Sequence, residues 1–147
     1  MKIHSDFLDF IKALNTNHVD YVIVGAFALA YLGYPRYTGD MDIWIRPSGP
    51  NARALIQALK DFGMGSLSLT EHDILSGKVI QIGYPPVRID LLTSLDGLSA
   101  EEVWSSRQTG QFGNFTVNFI GKAAFLKNKK AIGRHKDLAD VESLSDE

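Results

Sequence analysis

A chain of 147 residues with 45% hydrophobic content is the size of one globular domain built on one core, residues 1–147. It has no cysteine, which excludes a disulfide framework and thiolate zinc sites, and a formal charge of -2 with a pI near 6.1 argues against a protein that coats nucleic acid through a broadly basic surface. The N-terminus lacks the uninterrupted apolar stretch of a signal peptide, and no apolar run reaches the roughly 18–20 residues that span a bilayer, so the expectation is a cytoplasmic protein with no membrane attachment.

Ser5 is placed to cap a first helix in which Phe7, Phe10, Ile11 and Leu14 recur at helical spacing until Asn15 and Asn17 end it. Tyr21 to Val24 is a short, continuously apolar run and reads as a buried strand. Gly25 turns the chain into a helix of about two turns, Ala26 to Leu32, closed by Gly33 and Pro35. A second strand, Met41 to Ile45, follows. Pro47, Ser48 and Pro50 open a third helix with a stripe of Ala52, Leu55, Ile56, Leu59 and Phe62, which Gly63 ends. Residues 64–77 carry no readable period.

Val79 to Ile82 and Val87 to Leu91 flank Gly83-Tyr84-Pro85-Pro86 and read as a hairpin with a four-residue connection. On its second strand Val87, Ile89 and Leu91 share one face, Arg88 and Asp90 the other. A short helix near Ala100 to Trp104, a strand at Phe115 to Phe119, a helix from Gly121 to about Ala131 and a last helix from about His135, with Leu138, Val141 and Leu144 on one stripe, complete the chain. This order predicts a mixed α/β (α+β) sheet layered with helices.

Chemistry concentrates at Asp40-Met41-Asp42. In a strand both carboxylates point the same way while Met41, Ile43 and Ile45 face a core, and Asp90 adds a third carboxylate on another polar strand face. Such a set suits magnesium or manganese, which take a few carboxylates plus water and substrate phosphates, and the reading predicts that the three converge on one accessible point. Upstream, Gly25 after a strand lets phosphate oxygens approach backbone N–H groups, and Arg36 and Thr38 are candidate phosphate contacts. Each feature alone has a plainer explanation: a solvated strand end, a turn glycine, a loop arginine. From Lys122 to Lys136 six Lys/Arg occur without an acid, a strip able to meet phosphates. His4, His18, His72 and His135 lack ligand spacing. Trp44, Tyr31, Tyr34 and Tyr37 read as core or rim packing rather than as a base-stacking set.

Taken together, Val24-Gly25-Ala26, Arg36-Tyr37-Thr38-Gly39-Asp40-Met41-Asp42-Ile43, Arg88-Ile89-Asp90-Leu91-Leu92, and Asn128-Lys129-Lys130 followed by Gly133-Arg134-His135-Lys136-Asp137-Leu138-Ala139-Asp140 resemble the motifs of the DNA polymerase beta-like nucleotidyltransferase superfamily. The resemblance covers residues 20–145 and is nearest to the AbiEii-type toxins and related small bacterial nucleotidyltransferase-like proteins.

The resemblance implies the sheet of that superfamily, flanked by helices, with the C-terminal helices packed on the site. It implies Asp40, Asp42 and Asp90 as catalytic metal ligands, and Gly25, Ala26, Arg36, Thr38, Lys129, Arg134 and Asp137 as nucleotide-binding residues. The implied activity is magnesium-dependent transfer of a nucleoside monophosphate from an NTP to a hydroxyl of RNA such as tRNA, a protein or a small molecule. Ala26 stands where many relatives carry Ser, which removes a hydrogen bond to a charged phosphate worth about 1.5–3 kcal/mol. That departure, with the short chain, keeps a second expectation open: a non-catalytic module of this fold that binds a nucleotide or a cognate toxin-antitoxin partner.

Overall fold

The computed structural model describes residues 3–34, 39–84 and 86–145. In chain order the elements are α1 (Ser5–Thr16), β1 (Tyr21–Val24), α2 (Gly25–Tyr31), β2 (Asp40–Ile45), α3 (Gly49–Asp61), a 3-10 turn (Gly65–Leu67), α4 (Glu71–Leu75), β3 (Ile80–Tyr84), β4 (Val87–Leu92), α5 (Ala100–Ser106), β5 (Gln108–Phe112), β6 (Phe115–Phe119), α6 (Lys122–Ile132) and α7 (His135–Ser145). Six strands form one open mixed sheet in the order β3-β4-β2-β1-β6-β5. β1 is antiparallel to β2 and parallel to β6, and β2 is parallel to β4. β3 and β5 close the two edges as antiparallel partners of β4 and β6.

The sheet is covered on both faces. Met41 lies level with Ile89 across β2 and β4, and Ile89 shares its face with Ala13 of α1, so Met41, Ile43 and Ile45 belong to the side on which α1 and α3 lie. Trp44 points the other way and meets Trp104 of α5 at 6.5 Å between ring centroids. Burial on both sides is why Tyr21 to Val24 is apolar throughout rather than alternating. Asn51, inside the first turn of α3, ties the sheet to that helix. Its Nδ2 donates to the carbonyls of Asp20 and Arg46 at 2.9 and 2.8 Å, and its Oδ1 accepts from the Asp20 N–H at 2.7 Å.

Several local expectations change. The cap of α1 is His4, whose Nδ1 accepts from the Asp6 N–H at 3.1 Å, so Ser5 is the first helical residue. β2 starts at Asp40. The hairpin is tighter than expected, because Gly83 and Tyr84 belong to the ladder opposite Arg88 and Val87. Gly83 has φ +72°, and a Cβ there would fall 2.6 Å from the Val87 carbonyl, which is why only glycine continues the strand at that point. Within residues 64–77 lies α4, started by a capping box in which Thr70 and Asp73 exchange side-chain and backbone bonds. β5 is an unpredicted strand, largely exposed and polar, joined to β6 by the Gly113-Asn114 turn.

Candidate active site

β2 and β4 carry the site because their parallel register is set by apolar partners on the opposite face. With Met41 opposite Ile89 and Ile43 opposite Leu91, Asp42 falls level with Asp90 and Asp40 with Arg88 on the face toward α5. Three carboxylates and one guanidinium therefore occupy two neighbouring strands over three residue positions. The expectation that Asp40, Asp42 and Asp90 share a face is met at the level of the backbone.

Each member has a different environment. Asp90 is buried, and Arg88 clamps it with Nε to Oδ1 at 3.0 Å and Nη2 to Oδ2 at 2.9 Å. That fork-to-fork pairing raises the pKa of the guanidinium further, helped by the charges of Asp40 and Asp42. Asp42 is half-buried and accepts no hydrogen bond among the described residues. Burial, then the like charges of Asp90 and Asp40, push its carboxyl above the ordinary range, with Lys129 and Arg88 pulling the other way.

Gly25 explains how Asp42 is seated. β1 ends at Val24, which lies level with Asp42, and the chain must leave the sheet at once to start α2. Gly25 does so with φ +66°, and a Cβ at this position would overlap Oδ2 of Asp42. The glycine thus serves two ends: a left-handed backbone and room for the carboxylate. Ala26, next in α2, is partly exposed. Arg36, Tyr37 and Thr38 lie outside the described residues.

The corner between α6 and α7 supplies the cations. Gly133 ends α6, and α7 folds back so that Asp137 is fully buried against both cations. Its Oδ1 accepts from Lys129 Nζ at 3.2 Å, and its Oδ2 from Arg134 Nε at 2.6 Å. Lys129 is itself buried, 3.7 Å from Asp140 Oδ2 and 5.4 Å over the Phe125 ring. Burial opposes charge on Asp137, but the bonds from Arg134 and Lys129 prevail and hold its carboxyl below the usual range. Asp137, expected to contact a nucleotide, meets Lys129 and Arg134 here. Asp42 feels the charge of Lys129, and Arg134, more than half exposed, feels that of Asp42. The C-terminal corner and the carboxylate strands thus form one electrostatic neighbourhood.

Whether this site suits a hard divalent cation is decided by its donors. All three are carboxylates, and Asp42 is destabilised by its two acidic neighbours, a repulsion that an oxygen-preferring dication relieves. Yet no group of three or more acidic, histidine or cysteine side chains closes as a metal cage among the described residues, and Asp90 gives both oxygens to Arg88. The expected convergence of the three carboxylates on one point is therefore not formed. What the donor chemistry fits is a cation held by Asp40 and Asp42, with water and substrate oxygens completing its shell.

Sequence reasoning missed Arg88 as the partner of Asp90. The signal was present, since residues two apart on a strand share a face. Trp44 is wholly buried, in keeping with core packing, and its Nε1 has no hydrogen-bond partner among the described residues. Tyr31 stacks on Phe119 at 4.1 Å. No helix among the described residues is long and apolar enough to cross a membrane. No protein-family model matches the chain, and no curated protein matches its sequence.

Proposed function

We propose that the chain is a magnesium-dependent nucleotidyltransferase of the DNA polymerase beta-like type. The observation that carries this reading is the level pairing of Asp42 with Asp90 across parallel β2 and β4, with Asp40 on the same face and Gly25 pressed against Asp42. In the proposed reaction an acceptor hydroxyl oxygen bonds to the α-phosphorus of an NTP, the bond to the bridging oxygen breaks, and pyrophosphate leaves while the hydroxyl proton passes to a carboxylate or water. A bound magnesium or manganese would supply charge neutralisation on the phosphates.

The residues of this chain do the positioning. Asp40 and Asp42 bind the cation. Asp90 faces the acceptor once Arg88 has exchanged its carboxylate for phosphate oxygens, an exchange suited to a planar fork of donors. Arg134, exposed on one side and held by Asp137 on the other, meets the triphosphate, and buried Lys129 contributes positive potential. Gly25 and Ala26 offer backbone N–H groups at the start of α2. The family assignment, the NTP and the class of acceptor, whether RNA, protein or small molecule, belong to this same proposal.

The test is incubation with each labelled NTP, magnesium or manganese, and total RNA or cell lysate. Label transfer that Asp42→Asn abolishes is the expected result; no transfer with any NTP overturns it. The Arg88–Asp90 clamp and Ala26 favour one second reading, a non-catalytic module of the same fold that binds a nucleotide or a toxin-antitoxin partner. In that case labelled NTP or partner binding persists with no transfer.

A further inference from the structure

The opposite face of the sheet carries a groove of about 680 Å³, and none of its described lining belongs to the carboxylate site. Its lining is apolar: Ile82 on β3 and Ile89 on β4 are buried at its base, and Phe62 after α3, Met64 and Val87 of β4 are partly exposed along it. Its rim is acidic: Asp6 and Asp9 from α1 and Asp61 from the end of α3, with Lys12 the one cation among the described lining residues. Asp61 sits where the helix dipole disfavours a carboxylate, yet Asn17 Nδ2 and Gln57 Nε2 donate to it at 2.8 and 3.0 Å. A negative charge is thus held fixed at a position that α3 alone would not choose.

The groove exists because α1 and α3 cover the middle of this face and leave the β3–β4 end open. β3 is the outermost strand, paired with β4 alone among the described residues, and Tyr84 at its hairpin end, opposite Val87, is 79% exposed. An exposed aromatic next to a partly open apolar groove marks an interaction surface better than scattered exposed residues do. A helix lying alongside α1 over β3 and β4 would complete the layer that α1 and α3 begin.

We propose that this groove docks a basic amphipathic helix of a protein partner. Its apolar stripe lies on the partly exposed Phe62, Met64 and Val87, and its Lys/Arg residues face Asp6, Asp9 and Asp61. The site is on the far side of the sheet from Asp42, so the inference stands apart from the nucleotidyltransferase reading.

The probe is a fluorescein-labelled peptide of Leu and Lys arranged at helical period, titrated with the full chain by anisotropy. Two control peptides are used, one a scramble of the same composition and one with Glu in place of every Lys. The expected result is saturable binding of the patterned Lys peptide, with both controls weaker by about tenfold or more, equivalent to about 1.4 kcal/mol. Asp6→Lys with Asp9→Lys removes that preference by a similar factor, and the milder Asp9→Asn gives a smaller loss in the same direction, with thermal unfolding confirming that each variant folds. The proposal is overturned by equal binding of patterned and scrambled peptides, by no saturable binding, or by affinity unchanged in the variants. Self-association of the chain in sedimentation, abolished by the same substitutions, would place a second copy in the groove and overturn it as well.

Discussion

Asp42 and Asp137 are two aspartates withdrawn from water whose carboxyls shift in opposite directions. Asp137, wholly buried, is held ionised by Lys129 and Arg134 at bonding distance. Asp42, half-buried, accepts no bond among the described residues and sits between two like charges, so its ionised form is disfavoured. The first carboxylate is satisfied by partners within the fold, whereas the second has like charges as its nearest charged neighbours on the sheet. Desolvation alone does not tell a structural acid from a ligand-binding one; the partners do.

The strongest way to break this contrast is Asp137→Ala. Removing this partner from a buried ion pair leaves Lys129 with Asp140 at 3.7 Å and Arg134 without its carboxylate, and costs about 3–5 kcal/mol. In a chain of this length that lowers the melting temperature by roughly 10 °C. The loss is present at neutral pH, above the unfolded carboxyl value, and fades as pH falls through the depressed folded value. A melting series from neutral to acid pH reads both features.

Asp42→Asn tests the other side. Label transfer should fall about 10²–10³-fold, the scale set by losing one well-placed electrostatic group, while the fold becomes more stable. The sign follows from the raised folded value. Wild-type stability is highest with Asp42 protonated and is lost as pH rises through that value, so the gain of the variant appears above it and vanishes at acid pH. A melting temperature unchanged or lowered at neutral pH would erase the distinction between the two acids.

Two smaller changes sharpen the picture. Ala26→Ser restores a hydroxyl donor and should tighten NTP binding by about 1.5–3 kcal/mol, read as a lower dissociation constant in titration. Gly25→Ala should cost about 1–2 kcal/mol through its left-handed backbone, with a further loss of transfer as Asp42 is displaced, whereas the equally small change Gly33→Ala meets no atom within 4 Å. Equal loss of transfer in the two variants would deny Gly25 its place against Asp42.

The legible parts of the fold were those where burial imposes a period. β1, β2 and α3 carry the sheet centre, and their apolar spacing named them almost to the residue. β5 escaped because an exposed edge strand has no apolar alternation to show, although its Gly113-Asn114 turn carried a hairpin signal. α4 escaped because five residues hold too little period, although Thr70 and Asp73 bore its cap. At the site, alternation alone placed Asp40 and Asp42 on one face. It did not reveal that Arg88 closes on Asp90 or that Asp137 is sealed against Lys129, since both depend on how side chains meet after the chain has folded.

The contact between Trp44 and Trp104 gives the molecule an optical gauge. These are the only two tryptophans in the chain, and Trp44 lies two residues from Asp42 on the same side of β2. Arg107 rests 3.9 Å over the Trp104 ring and Arg46 4.9 Å from it, so this indole reports the seating of α5 on the sheet. Emission from the pair should therefore shift when a cation and nucleotide engage the carboxylates, and Asp42→Asn should silence that shift without a label on either molecule.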